Sequence, residues 1–254
     1  MSLRQDLYAG KKANGLMIKT MRSPVIINLA KQAGIDFIFF DLEHGELSFE
    51  TVHDLILHAN ALDMPTVVRV PEVSKSNVSR ILDLGAKGVI CPSVESKEEA
   101  QLLADLARYY PLGRRGYSGG ANTDYFPTSQ VGGHRAVTEK ANEEILVVAM
   151  VETARGLEHV EEIAAVPGID MIEIGTNDFS VSLGLYGDKD SPVLFDAIDR
   201  ILAACLDNGK LFGVGGTPAI YDRYREHICL NANATEVDLL RAGMKAYVDS
   251  RKNA

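Results

Sequence analysis

Tryptophan is absent from the 254 residues, and Phe and Tyr together bring the aromatic content to only 7%. That leaves little material for an aromatic platform on which bases could stack. Positive charge is also short. Twenty-six Lys and Arg stand against 35 Asp and Glu, for a net charge of −9 and a pI near 5.2. A nucleic-acid binder would carry a basic footprint, so no nucleic-acid partner is expected. No apolar run approaches the roughly 18 residues of a membrane span, and the opening MSLRQDLYAGKK lacks the apolar core of a signal peptide. The expectation is a cytoplasmic protein without a membrane partner. Cysteines number three, at 91, 205 and 229. An odd count without a CxxC pair argues against a disulfide framework or a thiolate metal centre, and buried reduced thiols are expected.

What is present is ordinary for a folded domain: 46% apolar and 24% charged residues. The length suits one (β/α)8 barrel domain over 1–254, since such barrels run to about 250 residues. Strand-like apolar runs recur at 15–18, 37–41, 66–70, 88–92, 146–152, 171–175, 212–216 and 227–231. Most are apolar on both faces, as in a parallel sheet covered by helices. Between them lie helical patterns. Phe49, Val52, Leu55, Ile56, Ala59 and Leu62 keep a 3–4 spacing over 48–62. A similar pattern spans 76–86, Ser96 and Glu99 form a capping-box pair opening 97–108, and 191–207 carries another apolar stripe. Eight β/α alternations predict a TIM barrel. A doubly wound sheet is the alternative, but its G-x-G-x-x-G fingerprint is missing. The Gly- and Pro-rich segment 109–145 breaks the rhythm after the fourth helix. A functional loop, a partly helical insertion or a reach toward a neighbouring subunit is expected there.

Barrel chemistry sits at the C-terminal ends of strands. The second strand ends in Asp41-Leu42-Glu43-His44, ionisable residues that are costly unless they face a wet pocket. His44 suits a general base. Arg69 stands between valines in VVRVPE, where a guanidinium fork suits a carboxylate or keto oxygen, or an ion pair with Glu72 or Asp41. Glu152 ends the fifth strand, and Thr176-Asn177-Asp178 follows the sixth. Two carboxylates at adjacent strand ends, without Cys or clustered His, favour a hard divalent cation. Alternatively, each caps a helix. The N–H groups around Asn177 and Asp178 suit a substrate carboxylate. Arg114 and Arg115 are candidates for a substrate or subunit contact. Lys87 and Lys210 precede their strands, at the opposite rim, so no lysine is placed for imine chemistry.

Together these pieces resemble the HpcH/HpaI family of metal-dependent class II pyruvate aldolases. The resemblance rests on FFDLEHGELSFE (39–50), VVRVPE (67–72), LDLGAKGVICPSVESKEEA (82–100) and VETARGLEHVEEIAAVPGIDMIEIGTNDFSVSLG (151–184). It implies a divalent ion, Mg²⁺, Mn²⁺ or a similar ion such as Co²⁺, on Glu152 and Asp178. It implies Arg69 at the keto or enolate oxygen, and His44 as acid/base oriented by Asp41. Asp83 matches an aspartate that orients the histidine, often from an adjacent subunit. A homo-oligomer, trimer or hexamer, with helix exchange between neighbours, is also implied. So is a small 2-oxo acid substrate, formed by reversible cleavage of a 4-hydroxy-2-oxo acid to pyruvate and an aldehyde. The sequence departs from the family at Met150, where many relatives carry Gln, at Thr176 in place of Pro, at GVGG in the seventh strand, and in the eighth strand. A citrate-lyase-β or malyl-CoA-lyase-like enzyme and a non-catalytic 2-oxo-acid and metal-binding barrel are the alternatives.

Overall fold

The computed structural model describes residues 1–252. Its strands are β1 (Ala13–Ile18), β2 (Phe37–Asp41), β3 (Thr66–Arg69), β4 (Gly88–Cys91), β5 (Leu146–Val151), β6 (Met171–Ile174), β7 (Leu211–Val214) and β8 (Leu230–Asn231). The helices before the middle of the chain are α1 (Leu3–Tyr8), α2 (Val25–Gln32), α3 (Phe49–Ala61), α4 (Val78–Asp83) and α5 (Lys97–Ala107). Then come α6 (Gly133–Glu144), α7 (Ala154–Glu158), α8 (Val160–Ala164), α9 (Thr176–Ser182), α10 (Pro192–Asp207), α11 (Pro218–Tyr224) and α12 (Glu236–Lys252). All strand pairs are parallel, in the order β7-β6-β5-β4-β3-β2-β1-β8. The expected (β/α)8 barrel is present and nearly closed. Its seam lies between β7 and β8, joined by a bridge from Phe212 to Ile228. The eighth strand, expected over 227–231, shrinks to two residues. After it the run Ala-Asn-Ala offers little side chain suited to a pleated surface, and only Thr235 returns to bridge Met17.

Two cores divide along the sheet. Strand residues such as Leu16, Ile38, Val68, Val89, Val147 and Ile172 pack outward against the helices. Their neighbours Phe37, Phe39, Val67, Ile90, Val148, Met150 and Met171 fill the barrel. This is the period-2 alternation of strands buried on both faces. Leu3 and Leu7 of α1 plug the barrel's N-terminal end. That helix starts with a capping box, in which Ser2 and Gln5 satisfy each other's backbone N–H groups. Cys91 and Cys205 are buried and all three thiols are free, as expected.

The segment 109–145 contains two 3₁₀ turns and α6. It returns to where it left. The Asn142 side chain accepts from the Tyr109 N–H at 2.8 Å and donates to the Tyr109 carbonyl at 3.0 Å. Beside it the buried Arg108 donates to the carbonyls of Asn142, Ile145 and Gly168 and pairs with Asp170. Asp170 also accepts from Arg4 and from the Val147 N–H. This hub binds the N-terminal rim and leaves the opposite rim open for chemistry.

Candidate active site

The residue that organises the open rim is Asp41, fully buried at the end of β2. Its carboxylate accepts from Arg69 Nε at 3.0 Å and Nη2 at 2.7 Å, a bidentate pair across adjacent strands in register. It also accepts the backbone N–H groups of Glu43 and His44 at 3.1 and 3.2 Å. Burial alone would raise this carboxyl, but Arg69 and the two N–H groups outweigh it and hold it below the usual range. Arg69 Nη1 lies 3.1 Å from Glu43 Oε2 and 3.9 Å from Met150 Sδ. The guanidinium is thus held by two acids, with the Met150 thioether beside it. Lys19, just past β1, lies 3.6 Å from Asp41 Oδ2. Sequence reading passed over this lysine because it falls outside the apolar run.

The expected link from Asp41 to the His44 ring is not formed. Asp41 meets His44 through the backbone, its oxygens being taken by Arg69. The imidazole is 54% exposed at the mouth, with Nε2 3.8 Å from Glu43 Oε2. Asp83 lies elsewhere in this chain. It ends α4 near the N-terminal rim and pairs with buried Arg115 at 2.6 Å. The reason is topological: a helix that follows a strand runs back to the opposite rim. Arg114 pairs with Asp105, and Lys210 donates to the carbonyls of Val166 and Ile169.

Glu152 stands just beyond β5. Ser93, in the left-handed region at φ 47°, presents both its N–H (2.8 Å) and its Oγ (3.0 Å) to Glu152 Oε1. The other oxygen, Oε2, is buried without a partner. It nestles against Gly175, where any Cβ would overlap it. Burial raises the Glu152 carboxyl, Ser93 opposes this, and the charges of Glu43 and Asp178 add to the rise. Glu43 is raised in the same way, by burial first and with Asp178 contributing. Asp178 and Asn177 open α9 and are exposed. The Thr176 hydroxyl is turned away to the Gly215 carbonyl at 2.7 Å, tying β6 to β7.

Negative charge is therefore concentrated beside one sealed, unpartnered carboxylate oxygen. Among the described residues no group of three or more His, Cys, Asp or Glu forms a ready-made metal cage. The donors nevertheless fit a hard divalent cation. Such an ion binds through one or two carboxylates and completes its shell with water and substrate, and the orphaned Glu152 oxygen lacks just such a partner. A cavity of about 400 Å³ lies elsewhere, lined by Tyr109, Arg115, Lys140 and neighbours. It holds no comparable carboxylate cluster. Ser93 and Glu173 escaped the sequence reading, although Glu173, an acid inside the apolar run MIEI, left a signal there; Glu43 was noted among the costly strand-end groups but given no role.

The chain is similar to known proteins in sequence and in fold. The profile of the HpcH/HpaI aldolase/citrate lyase family matches residues 16–214. The 4-hydroxy-4-methyl-2-oxoglutarate aldolase of Hapsidospora irregularis is 31% identical over 215 residues, covering 84% of this chain and 79% of the relative. The 4-hydroxy-2-oxovalerate aldolase of Novosphingobium aromaticivorans is 32% identical over 195 residues, 75% of this chain and 71% of that one. The crystal structure of an HpcH/HpaI aldolase from Desulfitobacterium hafniense superposes with a TM-score of 0.91 at 28% identity, covering 100% of this chain and 98% of the other. With the fold and the matched profile in agreement, the chain belongs to the HpcH/HpaI aldolase/citrate lyase family.

Proposed function

We propose that the site cleaves a 4-hydroxy-2-oxo acid reversibly to pyruvate, or a close 2-oxo acid, and an aldehyde. The relatives named above are aldolases, and the chain is a carbon–carbon lyase of this kind. The observation that carries the reading is the buried, unpartnered Glu152 Oε2 beside Asp178 and Glu43. Glu152 and Asp178 would hold Mg²⁺, Mn²⁺ or a similar ion. Bound there, the cation supplies Lewis-acid charge to the oxygens of the 2-oxo acid.

The remaining roles belong to the chain itself. Arg69, locked by Asp41, places fixed positive charge where the enolate develops. His44, exposed at the mouth, takes the proton of the 4-hydroxyl, through water. The N–H groups of Asn177 and Asp178 receive the substrate carboxylate. Asp83 lies at the far rim within one chain, so its role at the site is exercised across a subunit boundary. A homo-oligomer agrees with the apolar residues left exposed along α12.

Exchange of pyruvate methyl protons in D₂O, followed by NMR with Mn²⁺ or Mg²⁺ and then EDTA, tests the core of this reading. Exchange that requires metal is expected. Pyruvate that binds with Mn²⁺ present yet never exchanges would refute it.

A further inference from the structure

The alternation of β6 sends Ile172 and Ile174 outward and Met171 into the barrel. Glu173 shares the inward face with Met171. Its register neighbours are Met150 on β5 and Gly213 on β7, neither of which can satisfy a carboxylate. Glu173 Oε2 is buried and has no hydrogen-bond partner. The cation acting on it, Arg69, already has its fork on Asp41 and its remaining edge on Glu43. A Cβ at Gly213 would overlap the Met171 methyl while staying at ordinary contact distance, 3.6 Å, from Glu173 Cγ, so the β7 neighbour offers Glu173 no side-chain donor. Two residues further along the same face is Gly175, against which the free Glu152 oxygen lies. Glu173 therefore sits one layer beneath the carboxylate centre, on the floor of the cup.

A carboxylate oxygen buried without a donor costs stability, and Arg69, committed to Asp41 and Glu43, offsets only part of the cost. A ligand can offset the rest. Its group cannot be anionic, because Glu43, Glu152 and Asp178 already crowd the cup with negative charge. A neutral hydroxyl meets the requirement, since it donates to a carboxylate and accepts from a carboxylic acid.

We infer that Glu173 determines specificity by hydrogen-bonding a substrate hydroxyl other than the 4-hydroxyl that loses its proton in cleavage. This rests on the aldolase reading of the site. The hydroxyl has two sources: C3 of a 2-oxo acid such as hydroxypyruvate, or the carbon next to the carbonyl of a hydroxyaldehyde.

The test compares Mn²⁺-loaded wild type with Glu173→Met and Glu173→Gln. One arm measures equilibrium binding of hydroxypyruvate against pyruvate by calorimetry. The other measures aldol addition of pyruvate to glycolaldehyde against acetaldehyde. A preference of at least tenfold for the hydroxylated partner is expected in one arm. It should fall to threefold or less in Glu173→Met and to an intermediate value in Glu173→Gln, and the arm that responds identifies the source. Pyruvate exchange in wild type without a preference in either arm overturns this inference alone. A preference that survives both substitutions also overturns it. Absence of exchange removes the aldolase reading, while the binding arm still reports on Glu173; failure of both 2-oxo acids to bind removes both. Should Glu173→Met not fold, an unchanged preference in Glu173→Gln is the overturning result.

Discussion

A methyl group at position 175 would occupy the space that Glu152 Oε2 now fills. Gly175→Ala is therefore expected to push the carboxylate aside and weaken Mn²⁺ binding about 10–100-fold, the usual range for damage to a ligand's supporting shell. A titration followed by electron paramagnetic resonance reads this without turnover. Glu173 yields a second prediction. Burial, its largest cause, pushes the carboxyl up to about 7 from an ordinary 4.5. A raised acid is neutral in both states below about pH 4.5; between that and about pH 7 only the unfolded chain ionises, so the penalty on the folded state builds over this window and is complete above it. Glu173→Gln should match wild type in thermal stability near pH 4 and exceed it at pH 8, by on the order of 2–3 kcal/mol. Equal melting temperatures at pH 8 would contradict the assignment. At this scale Asp41, Arg69, Glu152 and Asp178 were legible, because ionisable groups ending apolar runs need a reason to be there. Their partners were not. Ser93 and Glu152 are 59 residues apart in sequence, and Asp41 could be assigned to His44 or Arg69 until strand register chose Arg69.

Elements were read from periodicity and caps, and these held where they were strong. The helix expected over 48–62 is Phe49–Ala61, with the Ser48 side chain accepting the Thr51 N–H. The Ser96 cap opens Lys97–Ala107 as expected. Weak signals misled. The apolar reading of 227–231 overran a two-residue strand, and α1 left little trace because six residues are too few for a stripe. The rim hub adds an element-scale prediction. Arg108 joins the end of α5 to α6, β5 and β6, and its removal leaves Asp170 buried with one cation fewer. Arg108→Met should cost about 3–5 kcal/mol, the penalty for breaking a buried pair. Denaturant unfolding measures it, and a loss below about 1 kcal/mol would show that Arg4 alone compensates.

The whole molecule is an eight-stranded barrel with one thin seam and one helix that covers little. On α12, Leu240, Met244, Tyr247 and Val248 follow a 3–4 spacing and remain exposed, and Leu29 of α2 is exposed as well. An apolar stripe of this kind is the candidate contact surface for the proposed homo-oligomer. Replacing Met244 and Tyr247 with Ser is expected to lower the mass found by light scattering; an unchanged mass would place the subunit contact elsewhere. Only Glu236, at the start of α12, is buried. Its Oε1 accepts the N–H groups of Lys19, Thr20 and Met21 at 2.9, 2.6 and 3.1 Å, anchoring the loop that carries Lys19.

By itself the sequence determined the class of fold and the rim where chemistry occurs. Both follow from local alternation and from the cost of placing charge at the end of an apolar strand. The tertiary structure alone decided which acid pairs with Arg69, which carboxylate oxygen is left free, and that Glu173 lies beneath it. Those outcomes depend on register between strands and on where glycines let side chains approach, and neither is encoded within a single segment.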